Sequence, residues 1–138
     1  ISETNSWVEG QLSSMTLKEK IGQFFMIAAY SNKSEAHFQM LDSLVEQEKI
    51  GGLIFFQGER DNLVKAINRF QTKADIPLLI GMDAEWGVQM RLFGEERFPY
   101  NYTIGAADDP ELTEKLSEMI KMEVDSRLQT DKESKNLY

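Results

Sequence analysis

Apolar positions along the chain follow two alternating patterns. Short unbroken runs (Phe24 to Tyr30, Leu53 to Phe56, and the segment opening at Leu78) are separated by stretches in which apolar residues recur every three or four positions. Unbroken runs of this length predict strands buried on both faces, as parallel sheets require. The third is introduced by Pro77 and is expected over residues 78–83. Phe38, Leu41, Leu44 and Val45 predict a helix through residues 34–48, ended by Gly51 and Gly52. Leu63, Val64, Ile67 and Phe70 predict another over roughly 60–73. A third starts at Asp109 as N-cap, with Pro110 in the first turn and Glu111 near the positive end of the dipole. Its expected core stripe is Leu112, Leu116, Met119, Ile120, Val124 and Leu128.

Ahead of the first strand, Trp7, Val8, Leu12, Met15 and Leu17 predict one amphipathic helix or two short ones over residues 6–20. Thr16 with Glu19 three positions on reads as a capping box. Strand then helix, three times over, implies an α/β fold with parallel strands joined by right-handed crossovers. The expected organisation is a helical lead-in over 1–22, a parallel βαβαβα segment over 23–128, and a polar tail over 129–138. Such a segment leaves sheet edges open, which proteins normally pair or cover. Either copies of the chain associate as a homo-oligomer through those edges, or the segment is part of something larger.

Length allows one ordinary domain, and a 41% hydrophobic content supplies a core. Lys and Arg number 15 against 23 Asp and Glu, a net charge of -8. That balance argues against nucleic acid and anionic membrane surfaces as partners. The absence of cysteine removes disulfides, thiolate metal sites and cysteine nucleophiles. No apolar run approaches the ~20 residues needed to span a bilayer. The chain opens on Ile1 instead of Met, so removal of a preceding segment is expected; the compartment stays open, with the periplasm or export favoured.

The chemistry concentrates where the third strand ends. Asp83, Glu85 and Arg91 gather there around Gly87, and parallel α/β folds bind ligands at the carboxyl ends of their strands. Asp83 is expected to face an open, ligand-sized hollow and accept hydrogen bonds from sugar hydroxyls; a loop cap is the equal alternative. Glu85 would share a side with Asp83 if the backbone stayed extended. A glycosidase-type catalytic pair is nevertheless disfavoured, because residues two apart on one strand rarely flank a scissile bond. Holding the turn is the better role for Glu85. Trp86 either stacks on a sugar ring or packs, and Arg91 either clamps a ligand or pairs with Asp83 or Glu85. His37, the one histidine, sits within a predicted helix. It is expected at the surface, which disfavours a histidine triad or metal centre.

The same residues carry a family resemblance. Met15-Thr16-Leu17-Lys18-Glu19-Lys20-Ile21-Gly22-Gln23 resembles the opening motif of glycoside hydrolase family 3, and Ile50-Gly51-Gly52-Leu53-Ile54-Phe55-Phe56 resembles its second barrel strand. Asp83-Ala84-Glu85-Trp86-Gly87, with Arg91, Phe98-Pro99 and Gly105-Ala106 following, is similar to its substrate-binding segment. The Ala-Glu-Trp variant looks like Bacteroidetes-type members related to β-N-acetylhexosaminidases. The resemblance implies the first three units of an eight-stranded (β/α) TIM barrel, incomplete as a barrel. It also implies hydrolysis of β-linked N-acetylglucosaminides or glucosides with retention, through a covalent glycosyl-enzyme and without metal or cofactor. By that resemblance Asp83 and Arg91 would bind the innermost sugar, and Glu85 would support the turn.

One departure from the family pattern bears on activity. A barrel of this kind takes roughly 200 residues or more. The family's nucleophilic aspartate, its Lys-His sugar-binding motif and its acid/base residues lie beyond the segment matched here and have no counterpart. Where the family runs into a fourth strand with an Asn-Phe-Ala-Pro motif, this sequence has Arg127-Leu128-Gln129-Thr130 and a charged tail. The expectation is a truncated product, a fragment or a chain with a diverged end, with no catalytic residue of its own.

Overall fold

A computed structural model describes residues 6–128, so the predicted polar tail lies outside the described residues. The three apolar runs form three parallel strands, β1 (Met26–Ala29), β2 (Gly52–Phe55) and β3 (Leu79–Met82), in the order β1-β2-β3. Helices α1 (Ser6–Ser14) and α2 (Leu17–Gly22) precede them, α3 (Glu35–Gln47) joins β1 to β2, and α4 (Arg60–Lys73) joins β2 to β3. A 3-10 turn (Val88–Met90), α5 (Asn101–Ala106) and α6 (Pro110–Leu128) follow. This is the α/β arrangement expected of the first units of a (β/α) barrel.

Strand register explains what is buried. Ile27, Leu53 and Ile80 lie in one row, and Ala29, Phe55 and Met82 in another two residues on. Side chains alternate across a sheet, so these two rows share one face. There Ala29, Leu53 and Phe55 pack with Leu41 and Val45 of α3 and with Leu63, Ile67 and Phe70 of α4. An ion cluster draws the same two helices together: Arg69 reaches both Glu35 and Asp42, and Lys73 pairs with Glu46.

The opposite face, with Met26, Gly52 and Leu79 in one row, is uncovered. Here the expectation of strands buried on both faces is corrected. β1 is also shorter than the apolar run, which begins in a turn where Phe24 is 89% exposed. Leu79 of β3 is 66% exposed. An unbroken apolar run records affinity for a two-sided environment; the second layer must come from elsewhere, and no described residue supplies it.

The helical lead-in resolves into two helices, and the capping box is present. Glu19 accepts from the Thr16 N–H at 2.7 Å while the Thr16 hydroxyl accepts from the Glu19 N–H. Asp109 caps α6 as expected, its carboxylate accepting from the Leu112 N–H at 3.0 Å. The predicted core stripe of α6 needs correction: no residue of the helix is fully buried. Val124 and Leu128 pack partly against the core, whereas Leu112 and Met119 are exposed. Helix α5 was not predicted. It is one short turn and a half behind Pro99, capped by no side chain; only the proline before it and Gly105 within it hinted at an element boundary.

Candidate functional site

The carboxyl ends of the strands bring together residues that the sequence separates widely. Ala29, Phe55 and Met82 are in register. The residues that follow them, Tyr30, Phe56 and Asp83, therefore emerge at one level. Tyr30 and Phe56 stack with centroids 5.6 Å apart and planes 25° from parallel. The Arg91 guanidinium lies over the Phe56 ring at 4.5 Å, and Lys33 lies over Tyr30 at 4.1 Å. A cation over an aromatic face is held by the ring quadrupole.

Arg91 in turn grips Asp83 twice. Its Nε donates to the Asp83 carbonyl at 2.8 Å and its Nη2 to Asp83 Oδ2 at 2.8 Å. The two side chains differ in access: Arg91 is 11% exposed and Asp83 39%. Asp83 Oδ1 has no hydrogen-bond partner among the described residues. The carbonyl of Arg91 accepts from the Gly58 N–H at 3.0 Å, which ties the loop back to the end of β2. Of the alternatives for Arg91, the ion pair with Asp83 is present, and the cation belongs to a longer assembly than the sequence suggested.

After Asp83 the chain turns. The Gly87 N–H donates to the Ala84 carbonyl at 3.1 Å, and Gly87 has φ +100, a conformation that L side chains rarely adopt. A Cβ at Gly87 would also stand 2.6 Å from the Phe98 ring. The turn separates the two carboxylates that an extended backbone would have kept together. Glu85 is exposed and lines a groove with Asn101, Ile104, Gly105, Thr113, Ser117, Ile120 and Lys121, about 420 Å³ in volume. Asp83 is not among the residues lining that groove. Three of the polar groups along it are engaged within α6: Ser117 donates to the Thr113 carbonyl, Thr113 to the Asp109 carbonyl, and Lys121 pairs with Asp125. The side chains of Glu85 and Asn101, by contrast, make no hydrogen bond among the described residues. Trp86 meets Tyr100 edge to face at 5.1 Å, and Arg97 lies over the same tyrosine.

A second cavity of about 120 Å³ lies at the opposite end of the strands, lined by residues that include Glu19, Gln23, Lys49 and Asp75. Lys49 pairs there with Asp75, while Glu19 is engaged in capping α2. No three acidic or histidine side chains gather to hold a metal ion among the described residues. No helix among them is long and apolar enough to cross a membrane.

His37 is the clearest departure from expectation. It is half-buried on α3, and its Nε2 accepts from the Tyr30 N–H at 3.2 Å. Burial, and then the nearby Lys33 charge, hold its pKa below the ordinary histidine value. The imidazole is therefore neutral with its proton on Nδ1, as an accepting Nε2 requires. A lone histidine in a helix gave no sign of this, because its partner is a backbone amide at the end of β1.

The sequence matches the family model described as "Glycosyl hydrolase family 3 N terminal domain" over residues 16–128. The chain belongs to glycosyl hydrolase family 3. Among solved structures, this family 3 chain is similar to "Beta-glucoside phosphorylase BglX bound to 2FGlc", at 20% identity and a TM-score of 0.48. The likeness covers 58% of this chain and 16% of that one, so the family 3 segment described here spans a small part of that protein's length. No curated protein matches the chain.

Proposed function

We propose that this family 3 chain carries the sugar-gripping part of a retaining glycosidase site for β-linked N-acetylglucosaminides or glucosides, and not its nucleophile. One observation carries the reading: Asp83 stands at the carboxyl end of β3 with one oxygen held by Arg91 and the other unengaged. A carboxylate accepts hydrogen bonds and, unlike an amide, offers no donor. A fixed carboxylate with one oxygen to spare suits a pair of sugar hydroxyls. Arg91 serves the same subsite through its grip on Asp83, and Glu85 and Trp86 support it through the turn. A retaining mechanism needs two carboxyl groups roughly 5–5.5 Å apart across the scissile bond. Asp83 is committed to Arg91, and Glu85 is turned toward the α5–α6 groove. Neither is disposed to act as the nucleophile.

Incubation of the 138-residue chain with an aryl β-N-acetylglucosaminide is expected to release no phenol above the buffer rate. Turnover by the pure chain, lost in Asp83→Asn, would show that a catalytic carboxylate is here after all.

The uncovered sheet face favours a second reading, an association module. Phe24, Met26 and Leu79 are exposed around open strand edges, and apolar patches of this kind mark interaction surfaces. Copies would then complete a shared sheet. Light scattering at high protein concentration decides: a dimer or larger ring supports the module, and a clean monomer removes it.

A further inference from the structure

We infer that Arg91 is a positioning residue and not a sugar ligand, and that the Tyr30–Phe56 stack is the brace through which it holds Asp83. The inference rests on the sugar-binding role proposed for Asp83 and concerns how that site is set. The guanidinium is the more sequestered partner of the pair, 11% exposed against 39%. Two of its donors already serve Asp83, one on the carbonyl and one on the carboxylate. Its charge rests on the ring of Phe56. Donors placed in this way fix both the backbone and the side chain of Asp83, leaving Oδ1 as the carboxylate oxygen available to ligand.

Phe56 is in turn fixed from two sides of the chain. Its N–H donates to the Ala29 carbonyl at 2.9 Å, which extends the ladder one residue past β2. Its ring stacks on Tyr30, whose own N–H is held by His37. The first, second and third strands each contribute the residue after their last registered row. The result is one line of contacts, His37 to Tyr30 to Phe56 to Arg91 to Asp83. With Tyr30 and Arg91 both against it, Phe56 serves as a support inside the protein and not as a platform for a sugar ring.

The test uses the whole chain labelled for NMR and titrated with methyl N-acetyl-β-glucosaminide and methyl β-glucoside. In the wild type, the Arg91 Nε–H resonance is expected upfield of free arginine, from the ring beneath it, and slow to exchange with solvent. Phe56→Leu keeps an apolar side chain but removes the ring. It should return that resonance toward the free position, speed its exchange and weaken sugar binding by about fivefold, the scale of one partly exposed cation–π contact. Phe56→Tyr should restore all three. Asp83→Asn should abolish binding while leaving the Phe56 ring in place.

If Phe56→Leu leaves the Arg91 signal and the affinity unchanged while Asp83→Asn abolishes binding, the brace is refuted and the sugar site stands. Direct sugar-to-Arg91 side-chain NOEs would overturn the positioning role in favour of ligation. If the wild type binds neither glycoside, the sugar reading fails, and the Arg91 resonance in Phe56→Leu alone then upholds or refutes the brace.

Discussion

Gly51→Ala is expected to destabilise the chain by roughly 3 kcal/mol or more, at the upper end of what overpacking costs and beyond most single substitutions. A Cβ at this position would stand 2.0 Å from the backbone carbonyl oxygen of Gln23. Backbone cannot rotate away as a side-chain tip can. The same corner is tight from its other side, where a Cβ on Gly22 would stand 2.1 Å from the Glu48 carbonyl oxygen. The two glycines let the end of α2 and the entry to β2 lie backbone on backbone. The Gly51 N–H is shared there between the Gly22 and Phe25 carbonyls, at 3.2 and 3.1 Å. Forcing the segments apart would break those bonds and shift β2 against β1. For a domain of this size the melting temperature should fall by roughly 10 °C, readable by circular dichroism. Gly94→Ala is the control for simple loss of a glycine: nothing lies within 4 Å of its would-be Cβ, though its φ of +83 carries a backbone cost of its own. Gly51 has no such φ, so a loss there no larger than at Gly94 would show that the corner relaxes around the Cβ and that close approach adds little.

That corner also shows what could and could not be read from residues alone. Gly51 and Gly52 were legible as the break between helix and strand. Their close approach to Gln23 and Leu79 depends on which strands pair, which local pattern does not carry. Helix α4 was placed at its observed bounds because its apolar spacing ends cleanly before Pro77. The capping box of α2 and the Asp109 cap of α6 were legible for a similar reason: each is satisfied within three residues. Burial was legible only on one side. Phe24, Leu79 and Met119 read as core but are exposed, since an apolar side chain announces its preference and not the presence of a partner.

The site followed the same rule. Asp83, Arg91 and the glycine turn were found because they are close in sequence and polar beside an apolar strand. Tyr30 and Phe56 carry no such polar signal, and His37 reads as a surface residue of a helix. The first two ended apolar runs and were counted as strand interior. Only the register row Ala29–Phe55–Met82 makes them neighbours of Asp83. Setting the last residues of the three predicted strands at a common level brings Tyr30, Phe56 and Asp83 together.

Glu95→Gln is expected to loosen α6 at neutral pH, by an amount that shrinks on acidification. Arg127, in the last turn of α6, donates to Glu95 through Nε at 3.0 Å and Nη2 at 2.7 Å. The Glu95 side chain is only 10% exposed. With no fully buried residue of its own, α6 leans heavily on this fork and on Glu123, which accepts from the Val88 N–H at 3.2 Å. Removing one partner of a largely buried, doubly hydrogen-bonded pair leaves the other charge unsatisfied and costs about 1–3 kcal/mol. The hydrogen bonds from Arg127 hold the Glu95 pKa below its ordinary value. A carboxylate whose pKa is lower folded than unfolded contributes stability above its unfolded pKa, and that contribution is lost as pH falls through the folded one. The gap between wild type and Glu95→Gln should therefore be full at pH 7, begin to narrow near the ordinary glutamate value of about 4.3, and close only below the depressed folded value. Hydrogen exchange of the α6 amides, followed from pH 7 into acid, measures that gap. A difference that persists unchanged in acid would mean that α6 is held by packing of Val124 and Leu128 and not by the fork.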